Sequence, residues 1–262
     1  MRKLVLVLMA VFSFAIINSV KANNKFFYID TTHEVDGNIK EWKDSSFIKD
    51  AATNISYAIA NTGSQLYVAL KCTDQRIQVK IMQLGMQMYI NEKGKHRESM
   101  GIGFPIKNSN EGASQQSGRN LDNVKHNPQS IRQMFAMNLF SMNLFGFDGI
   151  DDKKQGLSIE GSVNIAFSWD DNNVMYIEYG IPLSYINSNV TGLNGKSIAI
   201  GWKLNGIESQ SYTVMPSIGG GGRAGRGGGG SRGDFNTSSG NRNNLENMMK
   251  EQIFWDKYDI KF

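Results

Sequence analysis

The chain has 262 residues, with 28 lysines and arginines against 24 acids. Three of the bases and none of the acids fall in residues 1–22, so residues 23–262 carry 25 bases against 24 acids, which removes any charge-based case for a nucleic-acid or anionic-membrane partner. The single cysteine, Cys72, excludes an internal disulfide, so the fold must rest on an apolar core, a metal or a partner.

The N-terminus reads as an export signal. Arg2 and Lys3 precede an almost unbroken apolar run from Leu4 to Ile17, and Val20-Lys21-Ala22 supplies the small or apolar residues of a cleavage site. The run is shorter than the roughly 18 to 20 residues a spanning helix needs. No cysteine follows it to carry a lipid, and no later segment is apolar enough to span a bilayer. The expectation is a cleaved leader, residues 1–22, and a periplasmic or secreted protein.

Beyond the leader the apolar period is two. Ile55, Tyr57 and Ile59 alternate with Ser56, Ala58 and Ala60, and Leu66, Val68, Leu70 and Cys72 alternate with Tyr67, Ala69 and Lys71; Cys72 reads as a buried small hydrophobe. Ile77, Val79 and Ile81 continue the alternation, then Leu84, Met86, Met88 and Ile90. Later sets are Val163, Ile165 and Phe167; Met175, Ile177, Tyr179 and Ile181; Ile198, Ile200, Trp202 and Leu204; and Phe254 to Phe262. Turn signals separate them at 61–63, 91–94, 170–173 and 194–195. Many short alternating strands predict an all-β fold, an antiparallel two-sheet β-sandwich of jelly-roll or immunoglobulin-like type.

Two insertions interrupt this single domain of residues 23–262. In 108–150 a polar loop precedes a predicted helix, capped by Asn127 and Pro128, with Ile131, Met134, Phe135, Leu139 and Met142 on one face and Gly146 at its end. Residues 219–244 are glycine-rich and read as a disordered loop. Its arginines, Arg223, Arg226, Arg232 and Arg242, resemble RNA-binding tracts, but export and the lack of interleaved aromatics argue against a nucleic acid. The loop also makes formal matches to the nucleophile-elbow and dinucleotide patterns, without the strand and helix either motif requires.

No catalytic constellation emerges, so no enzyme activity is expected. His33, His96 and His126 lack metal-site spacing and read as surface residues. Asp148, Asp151, Asp152, Asp170 and Asp171 form oxygen-rich turns that could hold calcium, although turn formation explains them as well; no cofactor is firmly expected. Met82, Met86, Met88 and Met100 could ligate haem or copper, but filling a core is the usual role of methionine. Of the four tryptophans, Trp42 reads as packing at the sandwich edge and Trp202 as core. Trp255 and Trp169 are the ligand candidates, because an indole can stack on the C–H face of a sugar.

Val35-Asp36-Gly37-Asn38-Ile39-Lys40-Glu41-Trp42 resembles the "DG…EW" opening of family 9 carbohydrate-binding modules and the wider DOMON-like sandwiches. Gln65 to Leu70 followed by Thr73-Asp74 resembles their "LYVAF…D" strand. Tyr176 to Leu183, with Pro182, resembles "YEIAIPL", and Ala199 to Trp202 resembles "IGF". The resemblance spans most of 29–262 and implies a β-sandwich in which Asp36, Gly37, Glu41, Trp42 and Pro182 are structural signature residues. Sugar-binding members open the strand matching 84–91 with a tryptophan followed by acids; this chain has no tryptophan there and shows Leu84 and Gln87. Leu84 to Pro105, with Gly101-Ile102-Gly103-Phe104-Pro105, resembles uncharacterised exported bacterial members, for which the resemblance implies a fold and no activity.

Three readings follow. The first is a non-catalytic exported domain that binds carbohydrate or glycan. The second is a protein-interaction or envelope-assembly component of unknown partner, an envelope protein among the candidates, using the glycine-rich loop and the predicted helix. The third is a haem- or metal-binding redox protein.

Overall fold

The structure is a computed structural model that describes residues 33–106, 141–206 and 250–262. The expected leader, the glycine-rich segment 219–244, His126 and residues 127–140 of the predicted helix lie outside the described residues. Among the described residues no helix is long and apolar enough to cross a membrane.

Two antiparallel sheets face each other, as the period-two pattern predicts. The first joins β1 (Ile48–Lys49), β2 (Ser56–Asn61), β3 (Gln65–Cys72), β9 (Met175–Pro182) and β8 (Asn164–Trp169), in that spatial order. The second joins β11 (Gln252–Asp259), β10 (Ser197–Leu204), β4 (Met86–Asn91), β5 (Gly101–Phe104), β6 (Met142–Phe145) and β7 (Lys153–Gln155). The apolar set of each strand meets the other sheet. Leu66, Val68, Leu70, Ile177, Tyr179 and Ile181 of one face Met86, Met88, Ile90, Ile102, Ile200 and Trp202 of the other in one continuous core. Cys72 is buried there, and burial pushes its thiol up to about 12. Met82, Met86, Met88 and Met100 are buried in the same core. At one edge Tyr57 from the first sheet packs on Trp202 and Phe254 from the second, with centroids 5.0 and 5.2 Å away.

Two local expectations are corrected. Ile77, Val79 and Ile81 lie on a helix, α1 (Gln75–Leu84), that carries the chain from one sheet to the other. The segment offers period two and period four alike, and its ends decide. The Asp74 carboxylate accepts from the Arg76 N–H at 2.9 Å, an N-cap, and Gly85 at φ +77° ends the helix with its N–H on the Ile81 carbonyl. The faces turned to the sandwich are then Ile77 and Ile81 beside Gln78 and Met82. Met142 is likewise on a strand, not at the end of a helix, because pairing with β5 and β7 gives Met142 and Leu144 a buried face. A four-residue helix, α2 (Leu183–Ile186), follows β9, with Pro182 at its N-cap.

The outer face of the five-stranded sheet is covered by the chain from His33 to Phe47. Trp42 lies over Ala58, Ala60, Tyr67 and Ala69, so it sits across this face and not at the sandwich edge. His33 packs against Trp42 and Tyr67, at 5.0 and 5.5 Å between ring centroids, and so is half-buried, where a surface position was expected. Glu178 holds the segment down. It points outward from β9 yet is only 3% exposed, and it accepts from the Gly37 N–H and the Trp42 indole N–H, both at 2.8 Å. Asp36 turns the chain by accepting from the Asn38 N–H at 2.6 Å. Gly37 has φ +82°, and a Cβ there would lie 2.9 Å from the Phe167 carbonyl carbon. The signature Asp36-Gly37 to Trp42 is thus a clamp on one buried carboxylate. Glu41 is exposed and adds a negative charge nearby.

Gly37→Ala should cost on the order of 1–3 kcal/mol in denaturant unfolding, because it adds both left-handed strain and a backbone clash. Burial pushes Glu178 up to about 7 against its two donors. A carboxyl whose folded value lies above its unfolded value of 4.5 contributes stability that is complete below 4.5 and lost as pH rises through 7. Wild-type stability should therefore fall relative to Glu178→Gln between those pH values; a difference that does not change with pH would refute the assignment.

Candidate functional site

The outer face of the six-stranded sheet is fixed by the same alternation. Because Phe254, Trp202, Met88 and Leu144 point inward, Trp255, Gly201, Tyr89 and Phe145 must point outward. Strand register aligns them in one row: Trp255 opposite Gly201, Gly201 opposite Tyr89, Tyr89 opposite Gly101, and Gly101 opposite Phe145. The two glycines let the rings lie against the sheet. A Cβ on Gly201 would fall 2.5–2.8 Å from the Trp255 ring, and one on Gly101 would collide first with the Met88 carbonyl oxygen and lie 3.0 Å from Phe145 and 3.1 Å from Tyr89. Tyr89 and Trp255 are nearly parallel, at 18° and 5.8 Å, and Phe145 meets Tyr89 edge-on at 6.0 Å. Tyr89 is buried, while Trp255 and Phe145 are half-buried.

β11 is an edge strand held from three sides, which fixes Trp255. The inward Asp256 accepts from the Tyr57 hydroxyl at 2.6 Å, Tyr258 donates to Asn61 at 2.9 Å, and the buried Lys80 of α1 donates to the Lys250 carbonyl and to Gln252.

A polar row borders the aromatic one. Lys203 of β10 pairs with Glu98 at 3.2 Å and Glu251 at 3.3 Å. Desolvation works against its charge, but the two carboxylates outweigh that and hold the ammonium above its usual value. Gln87 accepts from the Tyr89 hydroxyl, and burial, then Glu98, raise that phenol well above the ordinary tyrosine range.

The loop between β4 and β5 joins this face to a second feature. His96 stacks on Trp255 at 5.1 Å and 5° from parallel, and Glu98 reaches Lys203. Lys93, Lys95, Arg97 and Ser99 instead line an open cleft of about 500 Å³ at the end of the sandwich, opposite Gly146, Asp148 and Asn187. Successive residues of one loop thus serve two adjoining surfaces.

The other tryptophan candidate lies elsewhere. Trp169 ends β8 on the opposite sheet, packs half-buried on the core beside Phe167, and donates its indole N–H to Gln78 at 3.1 Å. The two predicted ligand residues therefore do not share a site. The aspartate turns are also separate. Asp170 Oδ1 accepts from the Asn172 and Val174 N–H groups and Oδ2 from Tyr176. Burial opposes its ionisation, and these bonds outweigh burial and hold it below the usual carboxylate range. Asp152 accepts from the Gly146 N–H at 2.9 Å, and Asp151 and Asp171 are exposed. Among the described residues no three His, Cys, Asp or Glu side chains gather as a metal site. Tyr89, Phe145, Lys95 and Arg97 were not singled out from the sequence, and His96 was read there only as a surface residue. The outward register of β4 and β6 and the basic run in Asn91-Glu92-Lys93-Gly94-Lys95-His96-Arg97 are the signals that mark them.

No protein-family model matches the sequence, and no curated protein is significantly similar to it. Among solved structures, a family 9 carbohydrate-binding module from Caldicellulosiruptor kristjanssonii in complex with glucose is similar at 10% identity and a TM-score of 0.31, over 69% of this chain and 78% of that one. The same module in complex with cellotriose is similar at 9% and 0.32, over 69% and 76%. Such values describe a loose likeness and say nothing of the residues that hold the sugars.

Gly201→Ala should lift the Trp255 indole off the sheet, at a cost of roughly 1–3 kcal/mol, and raise the acrylamide quenching that Trp255→Phe removes. Gly103→Ala is the control, since a Cβ there meets Ile106 at an ordinary 3.6 Å.

Proposed function

We propose that this chain is an exported, non-catalytic carbohydrate-binding protein that stacks a sugar ring on Trp255. The observation that carries the reading is the flat His96 ring lying 5° from parallel on the indole, 5.1 Å from its centre. A planar group already occupies the position a pyranose would take, on an anchored indole at a sheet edge. His96 belongs to an exposed loop and is itself exposed, so a sugar replaces it without disturbing the core. The apolar C–H face of the sugar covers the indole, and Gln87, Glu98, Lys203 and Glu251 supply donors and acceptors for hydroxyls. The leader supports export to a compartment where glycans are met.

The test is a panel of soluble polysaccharides and oligosaccharides, with affinity measured by calorimetry. Trp255→Ala should weaken binding at least tenfold, about 1.4 kcal/mol. Trp169→Ala should lower stability and leave affinity intact. His96→Ala, which frees the indole, should raise affinity severalfold. Full affinity in Trp255→Ala, or no binding across the panel, would refute the proposal.

A further inference from the structure

The cleft at the end of the sandwich has a chemistry that a neutral sugar does not use. Three cations line it, Lys93, Lys95 and Arg97, against two carboxylates, Glu92 and Asp148. Both carboxylates are already engaged. Glu92 accepts from the Asn187 amide and lies 3.7 Å from Lys93, and Asp148 accepts from the Ser188 N–H at 3.0 Å. Lys95 and Arg97 are exposed and form no ion pair among the described residues.

The walls are held in place. Asn91 Oδ1 accepts from the Lys93 and Lys95 N–H groups at 3.1 and 3.0 Å, which ties down the base of the loop. Gly94, at φ +64°, lies so close to Ser197 that a Cβ would meet its carbonyl oxygen at 2.9 Å. On the other side Gly146, at φ +67°, packs against Ser99, and its N–H is held by Asp152. Ser99, Asn91 and Asn187 add neutral hydrogen-bonding groups to the lining. A volume of about 500 Å³ falls within the range of small-molecule sites.

We infer that this cleft receives an anionic substituent, a carboxylate or sulfate, carried by the saccharide whose ring stacks on Trp255, with Arg97 and Lys95 as its partners. The inference rests on the glycan-binding reading and names its ligand class: acidic glycans, uronate-containing or sulfated. The link is the β4–β5 loop, where His96 touches the ring platform and the flanking Lys95 and Arg97 line the cleft. A saccharide that displaces His96 therefore meets the loop that carries both cations, neither of them ion-paired among the described residues. The guanidinium fork of Arg97 matches the paired oxygens of a carboxylate or sulfate, and Lys95 adds a point charge.

The test uses matched ligands that differ only in charge. Trigalacturonate is compared with its methyl ester, and sulfated dextran oligosaccharide with dextran, by calorimetry on the full chain at low salt. At least one acidic member should bind ten or more times tighter than its neutral counterpart, and the preference should shrink as salt is raised. Lys95→Gln with Arg97→Gln should abolish the preference and leave neutral binding unchanged, whereas Trp255→Ala should weaken both members. Equal affinity for acidic and neutral members, or a preference that survives in the double variant, overturns the inference while the stacking proposal stands. An acidic ligand that binds Trp255→Ala as tightly as wild type upholds the anion cleft and overturns the stacking proposal. Binding of no member overturns both.

Discussion

Alternation along each strand is the constraint on which the whole structure depends. A β-strand cannot turn two neighbouring side chains to the same side, so the residues the core claims dictate which ones the solvent receives. Turning Phe254, Trp202, Met88 and Leu144 toward the core forces Trp255, Gly201, Tyr89 and Phe145 outward. The aromatic row on the six-stranded sheet is thus the far side of the core pattern, aligned by register. A slip of one residue in β11 would bury Trp255 and expose Phe254 together.

The two outer faces are used in opposite ways. On the five-stranded sheet the chain from His33 to Phe47 closes over the surface, and a buried carboxylate on β9 fastens it through a backbone and an indole N–H. Burying Glu178 stabilises its protonated form, so the fastening is sensitive to pH. On the six-stranded sheet the cover is a short loop whose contacts are a stacked imidazole and an ion pair between side chains that are not deeply buried. Such contacts contribute little each, so this cover is held less firmly than the clamp on the other sheet.

The loop from Glu92 to Ser99 is the hinge between chemistry of two kinds. One set of its side chains meets a stacking surface and the other a cationic cleft. A ligand that satisfied both would need a flat apolar face and a negatively charged edge. That pairing of demands follows from the loop geometry and from the commitment of Glu92 and Asp148 to other donors.

The sequence by itself determined the sandwich, the burial of Trp202, Cys72 and the methionines, and the turns, because period two and turn chemistry are local signals carried by neighbouring residues. Its alternation pointed to a strand where α1 lies, since Ile77, Val79 and Ile81 keep period two and only the caps at Asp74 and Gly85 mark the helix. It singled out Trp255, and the alternation of Val163, Ile165 and Phe167 already puts Trp169 on the core face, but the bond from its N–H to Gln78 on a distant helix left no local sign. The tertiary structure alone decided which outward residues become neighbours. Trp255, Tyr89 and Phe145 are separated by 166 and 56 positions along the chain and meet only because β11, β10, β4, β5 and β6 pair in that order. Glu178 meets Gly37 and Trp42 across a similar gap. Proximity of this kind is set by strand order and register, which depend on the whole core packing at once and leave no mark on any single stretch of sequence.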